Sequence, residues 1–235
     1  MFYFDYIDGK EVLKSDFLSD VVHFFTTRDS VIRSTDKDLE QKIVDNIATI
    51  KNFLNVEELV SPKQTHSCNV DIAQVGKTSY PETDALILNN KEQSIYLNFA
   101  DCTPVILYDK MQKIAAISHA GWRGTVQRIV PKTVEKMNSD PQNIIAVIGP
   151  AICEKCYEVG DDVLEQLKSS VNNFEGLSNG NFVDLKNINA RQLEEIGVSK
   201  IDICPYCTSC DNDKFFSYRK ENGTTNRHSA VVKLV

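Results

Sequence analysis

The segment Ile114-Ala115-Ala116-Ile117-Ser118-His119-Ala120-Gly121-Trp122-Arg123-Gly124 sets the fold of this chain, because it holds a strand, a tight turn and a helix start in series. Residues 114–118 form an apolar run, which predicts a buried strand that leads directly into His119. After Gly124, apolar residues recur at helical spacing, at Val126, Ile129, Val130, Val134 and Met137. Free N–H groups at the start of such a helix bind anions, and Arg123 would add a positive charge there.

Pro131 stands inside this helical pattern. Proline has no backbone N–H, and its ring clashes with the carbonyl group four residues earlier. The pattern therefore predicts a helix that is kinked or split near Pro131.

Outward from this segment, the chain alternates short apolar runs with helical patterns. The runs predict strands at residues 2–7, 69–73, 85–88, 95–99, 105–108, 143–148 and 230–234, and we expect those between 69 and 117 to form one sizeable sheet. Helical periodicity predicts helices at residues 38–54, 161–171 and 186–196, whereas the polar stretch 172–181 predicts a loop. This mixed order favours an α+β or layered α/β fold.

Length and charge restrict the possible partners. A chain of 235 residues can bury one substantial core, so we expect a single domain over residues 1–235. The net charge of −7 argues against a nucleic acid partner, and no apolar run is long enough to predict a membrane span. The first residues lack the pattern of a secretory signal, so we expect a cytoplasmic protein, either a monomer or a weak homodimer.

Three residues of metal-ligand type lie at or near the ends of apolar runs. They are His66 in Lys63-Gln64-Thr65-His66, Cys102 in Ala100-Asp101-Cys102, and His119. Strand ends deliver side chains to a common cleft, and two imidazoles with one thiolate form a three-ligand site with an open fourth position. The alternative is two structural histidines and a buried apolar cysteine, because the spacing alone matches no local zinc motif.

Seven segments resemble the YfiH-like family, also called the multicopper polyphenol oxidase or laccase-domain family. The resemblance runs from Phe25-Thr26-Thr27-Arg28 to the C-terminus. The matching segments are Gln64-Thr65-His66, Thr83-Asp84-Ala85-Leu86, Ala100-Asp101-Cys102-Thr103-Pro104-Val105, His119-Ala120-Gly121-Trp122-Arg123-Gly124-Thr125, Ile148-Gly149-Pro150-Ala151-Ile152, Tyr157-Glu158-Val159-Gly160 and Phe215-Phe216-Ser217-Tyr218-Arg219.

The resemblance implies a four-layer α/β/β/α sandwich with mixed sheets, and one zinc ion bound by His66, Cys102 and His119. It also implies phosphorolysis of the purine nucleosides adenosine, inosine, guanosine and methylthioadenosine, with phosphate as co-substrate, together with deamination of adenosine. Some bacterial relatives are instead linked to the editing of peptidoglycan precursors.

Charged residues in or near the matching segments are candidates for the chemistry. We expect Asp84, Asp101 and Arg123 to be catalytic, with one aspartate accepting a hydrogen bond from a zinc-bound histidine. We expect the substrate to be bound by Arg28, Gln64, Arg219 and Arg227. The sequence departs from the family pattern at Asp29-Ser30-Val31-Ile32-Arg33, where a Gly-Gly-Val-Ser loop is usual, and at Asn226-Arg227, where Gly-Arg is usual. Both departures affect substrate contacts more than the metal ligands.

Other readings of the same residues remain open. Four histidines in total are too few for the copper clusters of a multicopper oxidase, although a single copper ion could replace zinc at the same three ligands. Cys102 could instead be the nucleophile of a cysteine hydrolase, with His119 or His66 as its base and Asp101 or Asp84 orienting that base. A non-catalytic binding protein would need no metal.

Seven cysteines, an odd number, argue against a full set of disulfides. Cys153 and Cys156 form one C-x-x-C pair, and Cys204, Cys207 and Cys210 continue the same spacing later in the chain. These five residues could bind a second, structural metal, act as a redox pair, or be incidental thiols.

Overall fold

Two six-stranded mixed sheets lie face to face in the computed structural model, which describes residues 1–235. The first sheet contains, in spatial order, β1 (Phe2–Ile7), β2 (Lys10–Ser15), β3 (Val22–Thr26), β14 (His228–Lys233), β7 (Gln93–Phe99) and β4 (Glu58–Val60). The second contains β13 (Lys200–Ile203), β10 (Ile144–Ile148), β8 (Thr103–Asp109), β9 (Ile114–Ala120), β6 (Ala85–Leu88) and β5 (Val70–Ile72). A separate short hairpin joins β11 (Ser178–Asn179) to β12 (Phe182–Val183).

Both sheets combine parallel and antiparallel pairs. β4 pairs parallel with β7, β5 with β6, and β10 with β13, whereas the other neighbours are antiparallel. The predicted strands exist, but the single sheet expected between residues 69 and 117 is wrong, because β7 pairs with β14 and β4 in the first sheet. The alternation of inward and outward side chains along a strand is the same in both sheets. The apolar pattern of a strand therefore does not show which strand it pairs with.

Helices cover the outer face of each sheet. Their bounds are α1 (Glu40–Leu54), α2 (Trp122–Val126), α3 (Ile129–Met137), α4 (Asp161–Lys168) and α5 (Leu185–Glu195). α1 packs Ile50 and Leu54 against Phe24 of the first sheet, and α3 and α5 pack Val134 and Leu193 against the second sheet. None of the helices combines the length and the apolar character that crossing a bilayer requires.

The core between the sheets follows from the two-residue period of a strand. Phe25 points inward to meet residues of the second sheet, whereas its neighbour Phe24 points outward beneath α1. Likewise, Ile106 points inward, and Val105 and Leu107 face the helices on the other side. The order of layers is therefore α/β/β/α, which confirms the predicted α+β sandwich.

The predicted break near Pro131 is confirmed. α2 ends at Val126, and Arg128 adopts a left-handed backbone (φ 58°) before α3 begins at Ile129. Pro131 is then the third residue of α3, in the first turn, where no intrahelical N–H donor is needed.

Candidate metal centre and cavity

His66, Cys102 and His119 meet although they come from distant parts of the chain. Their ligand atoms all lie within 4.8 Å of one another, and Sγ of Cys102 is 3.8 Å from Nε2 of His66. His66 lies between β4 and β5, and Cys102 lies between β7 and β8, so both residues stand where the chain passes from the first sheet to the second. His119 lies near the end of β9, which extends beyond the predicted strand to Ala120.

The carboxylate of Asp84 contacts both histidine-bearing segments of this centre. It is fully buried and lies 2.7 Å from Nδ1 of His119. It also accepts hydrogen bonds from the backbone N–H groups of Thr65, His66 and Ser67, at 2.7–3.0 Å. The left-handed backbone of His66 (φ 61°) is therefore held by three bonds to one side chain. With Nδ1 of His119 engaged by Asp84, Nε2 is the nitrogen left for a metal.

Charge in the centre favours a thiolate. Burial by itself would raise the pKa of Cys102, but the neighbouring His119 and the hydrogen bonds from both histidines lower it to about 6. Burial opposes the charged form of His119 as well, yet Cys102 and Asp84 raise its pKa to about 9. Asp84 keeps a pKa well below its usual range, because its bonds to His119 and to the 65–67 backbone outweigh burial. The Cys102 sulfur is thus in the form that binds a metal or attacks an electrophile.

Gly121 leaves room for the side chains of Cys102 and His66. A Cβ atom at this position would lie 2.9 Å from Sγ of Cys102 and 3.2 Å from Cδ2 of His66. The backbone conformation of Gly121 (φ −68°) is one that any residue can adopt. Glycine is therefore required by the lack of space beside Cys102 and His66, and not by the turn. Two imidazole nitrogens and one thiolate are the donors that zinc prefers, and an aspartate behind one histidine is a common arrangement in zinc proteins. The residues therefore fit a zinc ion.

The centre opens into a cavity of about 870 Å³, within the range of small-molecule sites. His66, Cys102 and His119 all line it. Four of the lining residues are basic and one, Asp101, is acidic, although the chain as a whole carries a charge of −7. The basic residues are Arg33, Lys63, Arg219 and Arg227, and the lining also contains Tyr80, Tyr96, Tyr157 and Tyr218. This combination suits a ligand with an anionic part and a flat ring.

Asp101 and Gln64 line the cavity, but their side chains also hold its walls together. Oδ1 of Asp101 accepts a hydrogen bond from Thr208 at 2.6 Å, and Oδ2 accepts one from the backbone N–H of Arg219 at 2.7 Å. The amide of Gln64 donates to the backbone oxygen of Asn98 and accepts from its N–H, both at 2.8 Å. Of the two candidate aspartates, Asp84 is therefore the one that contacts a histidine of the centre.

The predicted arginines are placed differently from one another. Arg219 lines the cavity beside Tyr157, and its Nη2 donates to the backbone oxygen of Glu158 at 3.0 Å. Arg227 lines it as well, held by the backbone oxygens of residues 224 and 226. Arg28 instead pairs with Glu221 at 2.6 Å and stacks on the Phe216 ring, outside the cavity lining. Arg123 is exposed and stacks on its neighbour Trp122, also outside the lining.

Several residues that line the cavity were not predicted from the sequence. Tyr157 and Tyr218 lie inside two of the segments that carried the family resemblance, so a signal for them was present. Arg33 reaches the cavity through a β-bridge to Arg227, and this contact joins the two segments in which the sequence departs from the family pattern. Tyr80 and Tyr96 carried no signal, because a buried or half-buried tyrosine on a strand or loop is common in any core.

The two remaining histidines lie apart from the centre. His23 accepts a hydrogen bond from the backbone N–H of Ser15, and burial lowers its pKa to about 4. His228 lies beside the rings of Phe99 and Phe215, where burial lowers its pKa to about 3. The centre therefore offers two histidines, fewer than copper clusters of an oxidase require.

Comparison with known proteins agrees with the fold. Residues 27–235 match the family described as multi-copper polyphenol oxidoreductase laccase. The chain is 35% identical to adenosine deaminase RL5 from an unknown prokaryotic organism, over 187 residues and 71% of each protein. It is 33% identical to a purine nucleoside phosphorylase of Clostridium acetobutylicum, over 80% of this chain and 83% of that protein.

A solved structure extends the comparison to nearly the whole chain. The crystal structure of the Bacillus licheniformis hypothetical protein YfiH matches with a TM-score of 0.88 at 27% identity, covering 99% of both chains. Sequence and fold together show that this chain belongs to the multi-copper polyphenol oxidoreductase laccase family, the laccase-domain family to which YfiH-like proteins are assigned.

Proposed function

We propose that this protein is a zinc-dependent purine nucleoside phosphorylase that also deaminates adenosine. The observation that carries the proposal is the three-ligand centre His66, Cys102 and His119, which opens into a basic, tyrosine-lined cavity. The names of the two relatives, a phosphorylase and an adenosine deaminase, support the same pair of activities. The expected substrates are adenosine, inosine, guanosine and methylthioadenosine, with phosphate for the phosphorolysis.

The side chains of the cavity suit the parts of a nucleoside and a phosphate ion. Tyr157 and Tyr218 offer aromatic faces on which a purine ring can stack. Arg219 and Arg227 offer guanidinium groups, which bind phosphate through paired N–H donors. In phosphorolysis a phosphate oxygen bonds to the anomeric carbon while the bond from that carbon to the purine nitrogen breaks. Fixed positive groups that hold phosphate near the ribose lower the barrier by positioning it.

The remaining predicted residues receive roles according to their positions. Asp84 positions His119 and the 65–67 backbone, and Asp101, the acidic residue of the lining, is the candidate for proton transfer to the leaving purine. Gln64 fixes the start of the loop that carries His66. Zinc held by His66, Cys102 and His119 would supply a Lewis acid beside the cavity, and copper could occupy the same donors. We propose no substrate contact for Arg28 or Arg123.

Incubation of the purified chain with inosine and phosphate tests the proposal. We expect hypoxanthine and ribose 1-phosphate in equal amounts, and we expect adenosine without phosphate to give inosine and ammonia. Cys102→Ala, which removes one proposed zinc ligand, should lose both phosphorolysis and deamination. Absence of turnover with all four nucleosides, in protein whose zinc content has been measured as stoichiometric, would remove the proposal.

One observation favours a second candidate, a cysteine hydrolase. Cys102, His119 and Asp84 form a thiol–imidazole–carboxylate series, and the pKa of Cys102 is lowered to about 6 while that of His119 is raised to about 9. These are the properties of an activated nucleophile and its base. Metal content separates the candidates, because a bound zinc ion occupies the thiolate. Protein purified without added metal that lacks zinc, and that is rapidly alkylated at Cys102, would favour the hydrolase.

A further inference from the structure

A second group of metal-type ligands lies in a different part of the fold. Cys153, Cys156, Cys207 and Cys210, here called the four-cysteine cluster, have Sγ atoms that all lie within 4.8 Å of one another. Two of the cysteines lie in the loop after β10, and two lie after β13. The loops run side by side, joined by a β-bridge between Ala151 and Cys207. The wide separation of the two pairs in sequence is thus closed by the parallel pairing of β10 with β13.

We propose that the four-cysteine cluster binds one structural zinc ion, separate from the centre formed by His66, Cys102 and His119. Four thiolates supplied as two C-x-x-C pairs are a complete ligand set for tetrahedral zinc. A Zn–S bond of about 2.3 Å places tetrahedral sulfurs roughly 3.8 Å apart. The Sγ atoms of Cys156 and Cys210 are 3.5 Å apart, and the 4.8 Å limit of the group brackets the expected value.

Backbone donors point at the cluster as well. The N–H of Cys210 donates to Sγ of Cys207 at 3.4 Å, and the N–H of Cys153 donates to the same sulfur at 3.3 Å. Such N–H···S bonds stabilise a ligand sulfur as a thiolate. The N–H of Cys207 itself is held by Oδ2 of Asp211 at 2.8 Å, which fixes the turn of the second pair. Two independent loops therefore converge on one set of sulfur atoms with preformed backbone support.

Cys204 is not part of the set. It is 1% exposed and packs in the core between the sheets, although the sequence placed it in series with Cys207 and Cys210. The hypothesis of five available thiolates thus reduces to four, the number that a closed structural site uses.

The position of the cluster indicates what the metal would stabilise. The N–H of Ile152 donates to the backbone oxygen of Asp101, and the hydroxyl of Thr208 donates to its carboxylate. Tyr157, which follows Cys156 directly, lines the cavity. A zinc ion that ties the two loops together therefore holds the cavity wall that contains Asp101 and Tyr157. Its role is to position that wall, and it contacts no substrate.

Zinc content and X-ray absorption of the wild-type chain, purified without added metal, test the proposal directly. We expect two zinc ions per chain. Their combined shell should contain five sulfur and two nitrogen ligands, four sulfurs from the cluster and the rest from the other centre. One zinc ion per chain with one sulfur and two nitrogen ligands would overturn the proposal, and so would two disulfides in the intact mass.

Variants assign the second ion to its ligands. In Cys102→Ala we expect one zinc ion to remain, with sulfur ligands only, at about 2.3 Å. Adding Cys156→Ser and Cys210→Ser to that variant should remove the last zinc ion. Cys68→Ser is the matched control, because Cys68 is a half-buried cysteine outside both groups, and it should retain both ions. Loss of all zinc in Cys102→Ala, with the four cluster thiols alkylated at the rate of unfolded cysteines, would contradict the proposal without requiring that the triple variant folds.

Discussion

Oδ1 of Asp84 lies 2.7 Å from Nδ1 of His119, and the two residues are also joined by a backbone bond from the N–H of His119 to the oxygen of Asp84. The same carboxylate holds the backbone around His66. One buried side chain therefore positions both proposed histidine ligands, since Asp84 fixes the ring of His119 and the backbone of His66.

Asp84→Asn should weaken zinc retention by roughly 10–100-fold, the usual effect of losing a carboxylate behind a ligand histidine. In Asp84, Oδ1 faces His119 and the backbone N–H of His66, whereas Oδ2 accepts from the N–H groups of Thr65 and Ser67. An amide has one oxygen, so it cannot replace both sets of bonds. Competition with a chelator of known affinity, in folded protein, measures the loss. Unchanged zinc affinity would show that Asp84 does not orient the ligands.

Asp101→Asn is the matched comparison. Asp101 accepts hydrogen bonds from Thr208 and Arg219 and contacts neither histidine through its side chain. We therefore expect zinc content to stay at the wild-type level while phosphorolysis falls, by up to ~10²–10⁴-fold if Asp101 transfers the proton. Equal loss of zinc in both variants would contradict this division of roles.

Gly121→Ala should lower zinc affinity without unfolding the chain. The new Cβ would come within 2.9 Å of Sγ of Cys102, whereas the backbone conformation itself tolerates alanine. Gly160→Ala is a suitable control for this centre, because its Cβ would meet only the movable side chain of Asp162 and no atom of His66, Cys102 or His119. Zinc analysis and thermal unfolding of both variants check the expectation, and normal zinc binding in Gly121→Ala would refute it.

Removal of the metal should expose a reactive thiol. With the pKa of Cys102 lowered to about 6, most of the thiol is ionised at pH 7, whereas an ordinary cysteine ionises near pH ~8.5. In chelator-treated protein, the rate of alkylation of Cys102 by iodoacetamide should rise through pH 6 and level off by pH 7.5. In zinc-loaded protein it should stay slow throughout. A rise centred near pH 8.5 after metal removal would contradict the lowered pKa.

Acid should destabilise the fold partly through His228. Burial lowers its folded-state pKa from 6.5 to about 3, so the folded protein resists a proton that the unfolded chain accepts. The contribution of His228 to the free energy of unfolding is fully present above pH 6.5 and is lost as the pH falls from 6.5 towards 3. By pH 4 the loss is roughly 3 kcal/mol. Urea unfolding of His228→Leu should show a correspondingly smaller loss of stability between pH 7 and pH 4. Identical slopes in variant and wild type would exclude His228.

The sequence predicted the elements better than their assembly. Apolar runs located eight of the fourteen strands and missed β2, β3, β4, β11, β12 and β13. Pro131 located the break between α2 and α3. Both kinds of signal are local. By contrast, β7 belongs to the first sheet because it pairs with β14, the last strand of the chain. This contact is not visible in the local sequence. Similarly, His66, Cys102 and His119 could be recognised by residue type and motif, but their approach to within 4.8 Å comes from the meeting of two sheets.

The roles of the arginines were the hardest to predict. A guanidinium near a motif can bind a ligand or complete an ion pair, and the two uses look identical in sequence. Arg28 is held by Glu221, whereas Arg227 borders the cavity. The partner that decides between these uses comes from a distant part of the chain and leaves no local pattern.

Two of the three ligands stand on the passages from the first sheet to the second, and the third is in the second sheet itself. A metal ion bound by His66, Cys102 and His119 would crosslink the two sheets. It would bind only when the sheets have the separation and register that bring the three residues together. By linkage, the free energy of metal binding is then added to the stability of the packed layers. Chelation should accordingly speed amide hydrogen exchange in the strands beside the passages, β7 and β8, well before the outer strand β1 responds.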